Sequence, residues 1–407
     1  MKFENLRSEK NGNRHRVAAT ISYEDCDRPT QEVYFETDEE FAQDLSCNPH
    51  AFLAVSTIAA MHQGEKRISI DEEICPEFRN GLNIAMRMIN QWYTRYGIDH
   101  KPVKIEARAM VKAPPVSRQA RAGFFFSGGI DSLATLSVNR LNFPLEHSSS
   151  FKDGFLVHGL QPEIDKIFDG ILSSLSVLAQ KASVTLVPVS TNIRYLEDDW
   201  SFWTDEFEGA VFSAVAHAFH SRINSVTLAS SFDVVNLHPH GSHPLLDPNY
   251  SSSDLLIKHG DVTLSRLAKT KLVADWDDGL HHVRVCNLPN LSGKLNCGEC
   301  EKCVRTKLAL VAHGKFEQVN IFSYDAISEE LVLSAVGPLT ITNYPFYPEL
   351  IFPLKKKGRH DLVRAIEHKM AEFEKRQMKR ETRRLFSEFD RIYLNDALKK
   401  MKKFIKS

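Results

Sequence analysis

The 407 residues are 43% hydrophobic, 10% aromatic and 25% charged, with 19 Gly and 17 Pro. That balance excludes a disordered, collagen-like or coiled-coil chain and leaves apolar mass for a core in each of two or three domains. No apolar run reaches the roughly 20 residues of a membrane span, and the polar start at Met1-Lys2-Phe3-Glu4-Asn5 carries no signal core, so a soluble, cytoplasmic protein is expected. The net charge of -1 hides an asymmetry: Lys355–Ser407 carries 18 Lys and Arg against 8 Asp and Glu.

In chain order, apolar alternation predicts strands at 16–22 and 32–37, helices around 50–62 and 79–96, and a strand around 102–111. These form an N-terminal α/β domain, 1–118, that ends at the Pro-containing break Ala113-Pro114-Pro115-Val116-Ser117-Arg118. From 119 to 313, strands at 123–126, 154–158, 184–189 and 225–229 alternate with helices from about 131, through 181 and over about 205–221. Such alternation implies βαβ units and a parallel sheet, with ligands bound beyond the carboxyl ends of its strands. The extension 314–407 holds short strand and loop candidates at 320–350, broken by Pro338, Pro345 and Pro348, and basic helices from about 359.

Ser127-Gly128-Gly129-Ile130-Asp131-Ser132 joins an apolar strand to a helix. Two glycines permit a tight turn and close approach of backbone N–H groups to an anion, and the helix start adds its positive end. Ser127 and Ser132 add hydroxyl donors, whereas Asp131 beside phosphate requires a cation. Farther on, Cys297-Gly298-Glu299-Cys300-Glu301-Lys302-Cys303 contains two overlapping Cys-x-x-Cys steps, with Cys286 upstream. Four soft ligands suit a closed, structural zinc site, and an iron–sulfur cluster takes the same number, so the metal stays open. Lys294, Lys302 and Arg305 are candidates to offset the thiolate charge. Cys26, Cys47 and Cys75 lie far from this cluster.

The loop matches the Ser-Gly-Gly-X-Asp-Ser signature of the PP-loop ATP pyrophosphatases, whose domain resembles a Rossmann fold. Loop and cysteines together resemble 7-cyano-7-deazaguanine synthase over roughly residues 120–310, with Lys269 in Leu267-Ala268-Lys269-Thr270-Lys271 at the family's lysine. The resemblance implies an ATP-dependent C–N ligase: Mg2+ and residues 127–132 hold the nucleotide phosphates, a carboxylate becomes an acyl adenylate, and ammonia or an amine attacks it. Ser127, Asp131, Ser132 and Lys269 would carry the reaction, His158 would sit near the adenine through its backbone, and Cys286, Cys297, Cys300 and Cys303 would hold Zn2+. Extended members of the group include proteins of bacterial defence systems. Other readings are a tRNA thiolation enzyme of the PP-loop class and a non-catalytic, zinc-stabilised nucleotide sensor.

The chain departs from the synthase pattern at Asn236-Leu237-His238-Pro239-His240-Gly241-Ser242-His243-Pro244-Leu245-Leu246-Asp247-Pro248, which stands in place of the purine pocket. This loop is expected to contact a small-molecule or protein-borne substrate, with its three histidines in pocket or loop roles in preference to a second metal. Ser230 and Ser231 either reach the ligand or cap a turn. Trp203, Asp205, Glu206 and Glu208 either meet magnesium or substrate or complement a helix dipole. The basic extension reads as a solvated helix or as a nucleic-acid contact, and an oligomer is compatible with the sequence.

Overall fold

A computed structural model describes the chain except for residues 95–96, 98–99, 111–119, 162–166, 287–293 and 394–407. Three N-terminal strands, β1 (Lys2–Asn11), β2 (Arg14–Ser22) and β3 (Gln31–Asp38), pair antiparallel. β4 (Arg67–Ile74) runs parallel to β1, and β5 (Lys104–Ala109) parallel to β4. The second half of the sheet, β6 (Ala122–Phe125), β7 (Phe151–His158), β8 (Thr185–Thr191), β9 (Ser225–Ala229) and β10 (Leu256–Gly260), is parallel throughout. All four residues of β6 are buried, which is why it reads as an unbroken apolar run and not as an alternation.

These halves are one sheet of ten strands, in the order β10-β9-β6-β7-β8-β3-β2-β1-β4-β5. The seam is an antiparallel pairing of β3 with β8, Phe35 opposite Thr191 and Thr37 opposite Val189. One hydrophobic core runs from Val17 and Phe35 through Phe155 and Val187 to Ile257. Residues 1–296 with 319–321 therefore form one compact unit, and 297–318 with 322–407 a second. The boundary expected at 113–118 lies outside the described residues, but the strands on either side of it share this sheet and core.

Between the strands of the first unit lie α1 (Pro49–His62), α2 (Pro76–Thr94), α3 (Ile130–Asn142), α4 (Phe168–Lys181) and α5 (Glu208–Ala218), and after β10 come α6 (Arg266–Asp275) and α7 (Asp277–His282). α1 is buried on every side from His50 to Met61, so it is an internal helix without a polar face. α2 instead buries one stripe, Phe78, Leu82, Ala85, Met86 and Ile89, at helical spacing. The helix expected over 205–221 begins earlier and irregularly: Trp200–Phe202 is helical, Trp203–Phe207 widens into a π-helix, and α5 continues from it.

The second unit is helical: α8 (Glu301–His313), α9 (Glu329–Ala335), α10 (Pro348–Lys356) and α11 (His360–Tyr393). Residues 320–350 were expected to hold short strands and loops; loops are present, but short helices stand in place of the strands, with Val332, Leu350 and Leu354 buried, as are Leu362, Val363 and Ile366. The basic extension is helical from His360, as its lack of Gly and Pro predicts. Among the described residues no helix is long and apolar enough to cross a membrane.

Candidate functional site

The parallel strands bring their carboxyl ends to one edge. From β6 the chain winds outward through β7 to β8, then returns to the other flank of β6 as β9 and β10. Strand order therefore reverses between β6 and β9, and the crevice at such a switch point is where open α/β sheets bind ligands. Ser127 follows β6 and Ser230 follows β9, so the glycine loop and the Ser230 turn flank this crevice.

The loop is built for close approach. Gly128 has a φ of +73°, a conformation costly for other residues, and Gly129 caps α3 with no side chain to claim the first-turn N–H groups. Ser127 Oγ accepts from Gly129 N at 3.3 Å and donates to Ser132 Oγ at 3.2 Å, while Ser132 Oγ also donates to Gly129 O at 3.0 Å. The two serines thus hold the turn with their own hydroxyls.

Cations surround it. Asp131 Oδ2 pairs with Arg266 at 2.9 Å, and Oδ1 stands 3.6 Å from Lys269 Nζ. Lys269 is 1% exposed, donates to the Ser230 carbonyl across the switch point, and has its pKa lowered by burial. Arg284 lies on the segment after α7, where its backbone N–H donates to Gly128 O at 2.8 Å. Its guanidinium is buried, and Nε and Nη2 have no hydrogen-bond partner among the described residues. Burial pushes that guanidinium down to about 10, against an upward pull from Cys286. Two cations on one carboxylate at a helix N-terminus, with the Arg284 backbone against the glycine turn, give the loop a positive surrounding suited to an anion. Arg266 and Arg284 were not read from sequence; they lie far from the loop along the chain, and no spacing marks them.

His158 ends β7, where Nδ1 lies 3.2 Å from Ser190 Oγ and the ring centroid 4.4 Å from that of Phe168. Of the two readings of Ser230, capping is the one seen: its hydroxyl donates to Phe232 O at 2.6 Å and accepts from Phe232 N. Phe232 leads toward the histidine loop, stacking edge-on against His238 and His240. The loop itself is largely self-bonded. Asp247, fully buried, accepts from His259 Nδ1 at 2.7 Å, Ser242 Oγ at 2.8 Å and His243 N at 3.2 Å. Its carboxylate is a structural hub, which corrects the expectation that it meets substrate. His240 Nδ1 stands 3.7 Å from Glu208, and burial pushes this imidazole down to about 4. Glu206 is no surface helix-start acid: it is buried and turns to His62 and His100.

The four cysteines predicted to act together do converge: the sulfur atoms of Cys286, Cys297, Cys300 and Cys303 all lie within 4.8 Å of one another and could hold a metal ion such as zinc. Cys297 Sγ accepts from Glu299 N and Cys300 N at 3.4 and 3.3 Å, so the backbone turns around this sulfur. Gly298 has a φ of +87°, and a Cβ there would lie 2.1 Å from Tyr324 O, so only glycine fits. Asn296 accepts from Val285 N and Cys286 N and donates to Val283 O, which fixes the irregular segment carrying Cys286. A buried cation beside the thiols that the sequence did not single out is Lys307: its ammonium donates to Gly298 O, Tyr324 O and Ala326 O. Burial lowers its pKa, and Cys303 and Cys297 oppose that. Arg305 instead pairs with Glu301 at 3.3 Å, and Lys294 donates to Asn320.

In the basic extension several charges are paired within the helical unit: Lys355 with Glu367, Arg359 with Asp361, and Arg364 with Glu329. No family model, no curated protein and no solved structure matches this chain.

Proposed function

We propose that the chain is an ATP-dependent enzyme of the PP-loop type, similar to 7-cyano-7-deazaguanine synthase, that activates a carboxylate for attack by ammonia or an amine. The observation that carries this reading is the glycine loop at the switch point with Arg266 and Lys269 beside it and the buried Arg284, whose Nε and Nη2 have no hydrogen-bond partner among the described residues, bonded to it through its backbone. A polyanion would satisfy the donors of Arg284 and of the first turn of α3 together. Residues 127–132 would grip the pyrophosphate, with the end of β7 at His158 toward the adenine. The substrate carboxylate oxygen would bond to the α-phosphorus as pyrophosphate leaves. The amine would then take the acyl carbon as AMP leaves. The protein's part is positioning and charge stabilisation, with Lys269 and Arg284 facing charge that builds on phosphate oxygens.

Asp131 does not fit a magnesium ligand as placed, because both oxygens already face cations; we assign it to holding Arg266 and Lys269. The cysteines fit zinc well. Cys297 Sγ lies 3.8 Å from Cys303 Sγ, the edge of a tetrahedron with metal–sulfur bonds of about 2.3 Å. Four thiolates leave no open position, so zinc there would be structural. Sulfur relay, the alternative, is disfavoured by Cys26 and Cys47, whose thiols burial shifts up, away from the reactive thiolate.

The test is release of AMP and pyrophosphate from ATP with candidate acids, 7-carboxy-7-deazaguanine first. Ser127→Ala and Asp131→Ala are expected to lower it by at least about 100-fold in protein that thermal unfolding shows to be folded at the assay temperature. Wild-type rates in both variants would remove the proposal.

A further inference from the structure

Apart from the cysteines, one other group of metal-ligating side chains converges among the described residues. His62 ends α1, His100 precedes β5, and Glu206 lies in the π-helical turn before α5; their ligand atoms are all within 4.8 Å of one another. Glu206 Oε1 stands 3.5 Å from His62 Nδ1, and Oε2 stands 3.1 Å from His100 Nδ1. The imidazole rings cross nearly at right angles, 4.7 Å apart.

A buried carboxylate needs a cation or full hydrogen bonding. His100 supplies one hydrogen bond. His62 Nδ1, also buried, stands farther off, 3.5 Å from Oε1 and outside good hydrogen-bond geometry. An ion among these atoms would satisfy the carboxylate and both imidazoles together: donors held at about 2.0–2.2 Å around a tetrahedral centre stand about 3.3–3.6 Å from each other, a spacing that the 3.5 Å pair meets and that the 3.1 Å pair reaches with a small shift. The supports are in place. Asn90 donates to His100 O at 2.6 Å, Asp199 caps the turn that leads to Glu206, and Phe202 packs on the His62 ring at 4.2 Å. π-Helical turns like this one concentrate at functional sites.

We propose that His62, His100 and Glu206 form a second divalent-metal site, of the zinc-binding class, separate from the four cysteines. Two imidazoles and a carboxylate suit a borderline ion, and three protein ligands leave a coordination position for water or a small ligand. This inference does not depend on nucleotide chemistry at the glycine loop.

The experiment loads the full-length chain with zinc, removes loose metal by gel filtration and counts ions per chain by elemental analysis. It then repeats the loading with cobalt for absorption spectra. Glu206→Gln and His100→Gln should each hold one ion fewer than the wild type. They should also lose the weak visible cobalt bands of nitrogen and oxygen ligation while keeping the intense thiolate charge-transfer band. Cys300→Ser should do the reverse. Equal metal content in the wild type and a folded variant would overturn the proposal. Should neither variant fold, the wild-type cobalt spectrum decides: a thiolate band alone, with no second class of site at saturation, overturns it equally.

Discussion

Arg284 places a guanidinium where charge is costly and leaves two of its nitrogens without acceptors among the described residues. Such a residue is a burden on the free protein unless a ligand relieves it. Arg284→Met, of similar length and no charge, should therefore weaken ATP binding roughly 10- to 100-fold, the worth of a charge-assisted hydrogen bond or two. It should leave the thermal midpoint unchanged or raise it. Calorimetric ATP titration and unfolding on the same samples check this, and a variant that binds ATP like the wild type but melts lower makes Arg284 structural. Three buried imidazoles set a second expectation. Desolvation holds His50 near 3 and His217 and His240 near 4, so in the folded chain they stay neutral where the unfolded chain, titrating near 6.5, takes up protons. Folded pKa values below the unfolded ones mean that stability is full above about pH 6.5 and drains away as pH falls toward 3–4. His217 alone would account for on the order of 3 kcal/mol. Urea unfolding at pH 7.5, 6 and 5 should show falling midpoints; a flat profile contradicts the neutral assignment.

Single elements differ in how plainly the sequence announces them. The glycine loop was legible because its parts are contiguous: apolar strand, two glycines, a helix start and two hydroxyls in one short run. The cysteine spacing was legible for the same reason. β1, β4 and β10 were not. β1 spells Lys-Phe-Glu-Asn-Leu-Arg-Ser-Glu-Lys-Asn, with Phe3 its single buried residue, and it is a strand because β2 and β4 pair with it. β10 has five residues and one fully buried side chain, Ile257. His62, His100 and Glu206 come from three elements with no common spacing, so only the fold assembles them. The loop 236–248 was placed near the ligand from its position after β9, but its polar residues spend their hydrogen bonds on each other. Asp247→Ala would strip His259, Ser242 and the His243 N–H of a buried acceptor. The expected cost is about 3–5 kcal/mol of stability, read by denaturant unfolding, with ATP affinity unchanged in protein that remains folded.

At the scale of the molecule, the N-terminal strands and the parallel strands β6–β10 are one object. A fragment starting at residue 119 would expose the β8 edge that β3 covers and would lack Val17, Phe35, Phe52 and their neighbours from the shared core. It should be insoluble or unfold without cooperativity, whereas the intact sheet unit should melt in a single transition. A soluble 119–407 fragment with a sharp urea transition would show that the seam is dispensable.

The β3–β8 seam also bears on how the chain is made. Translation delivers β1, β2 and β3 early, but the strand that closes the free edge of β3 arrives only after α3, β7 and α4 have been synthesised. Until β8 leaves the ribosome, the nascent N-terminal meander presents an unpaired edge, and α1 lacks α5, the helix it packs against. The first hundred residues therefore cannot mature as a finished module during synthesis, and their burial waits on sequence encoded far downstream.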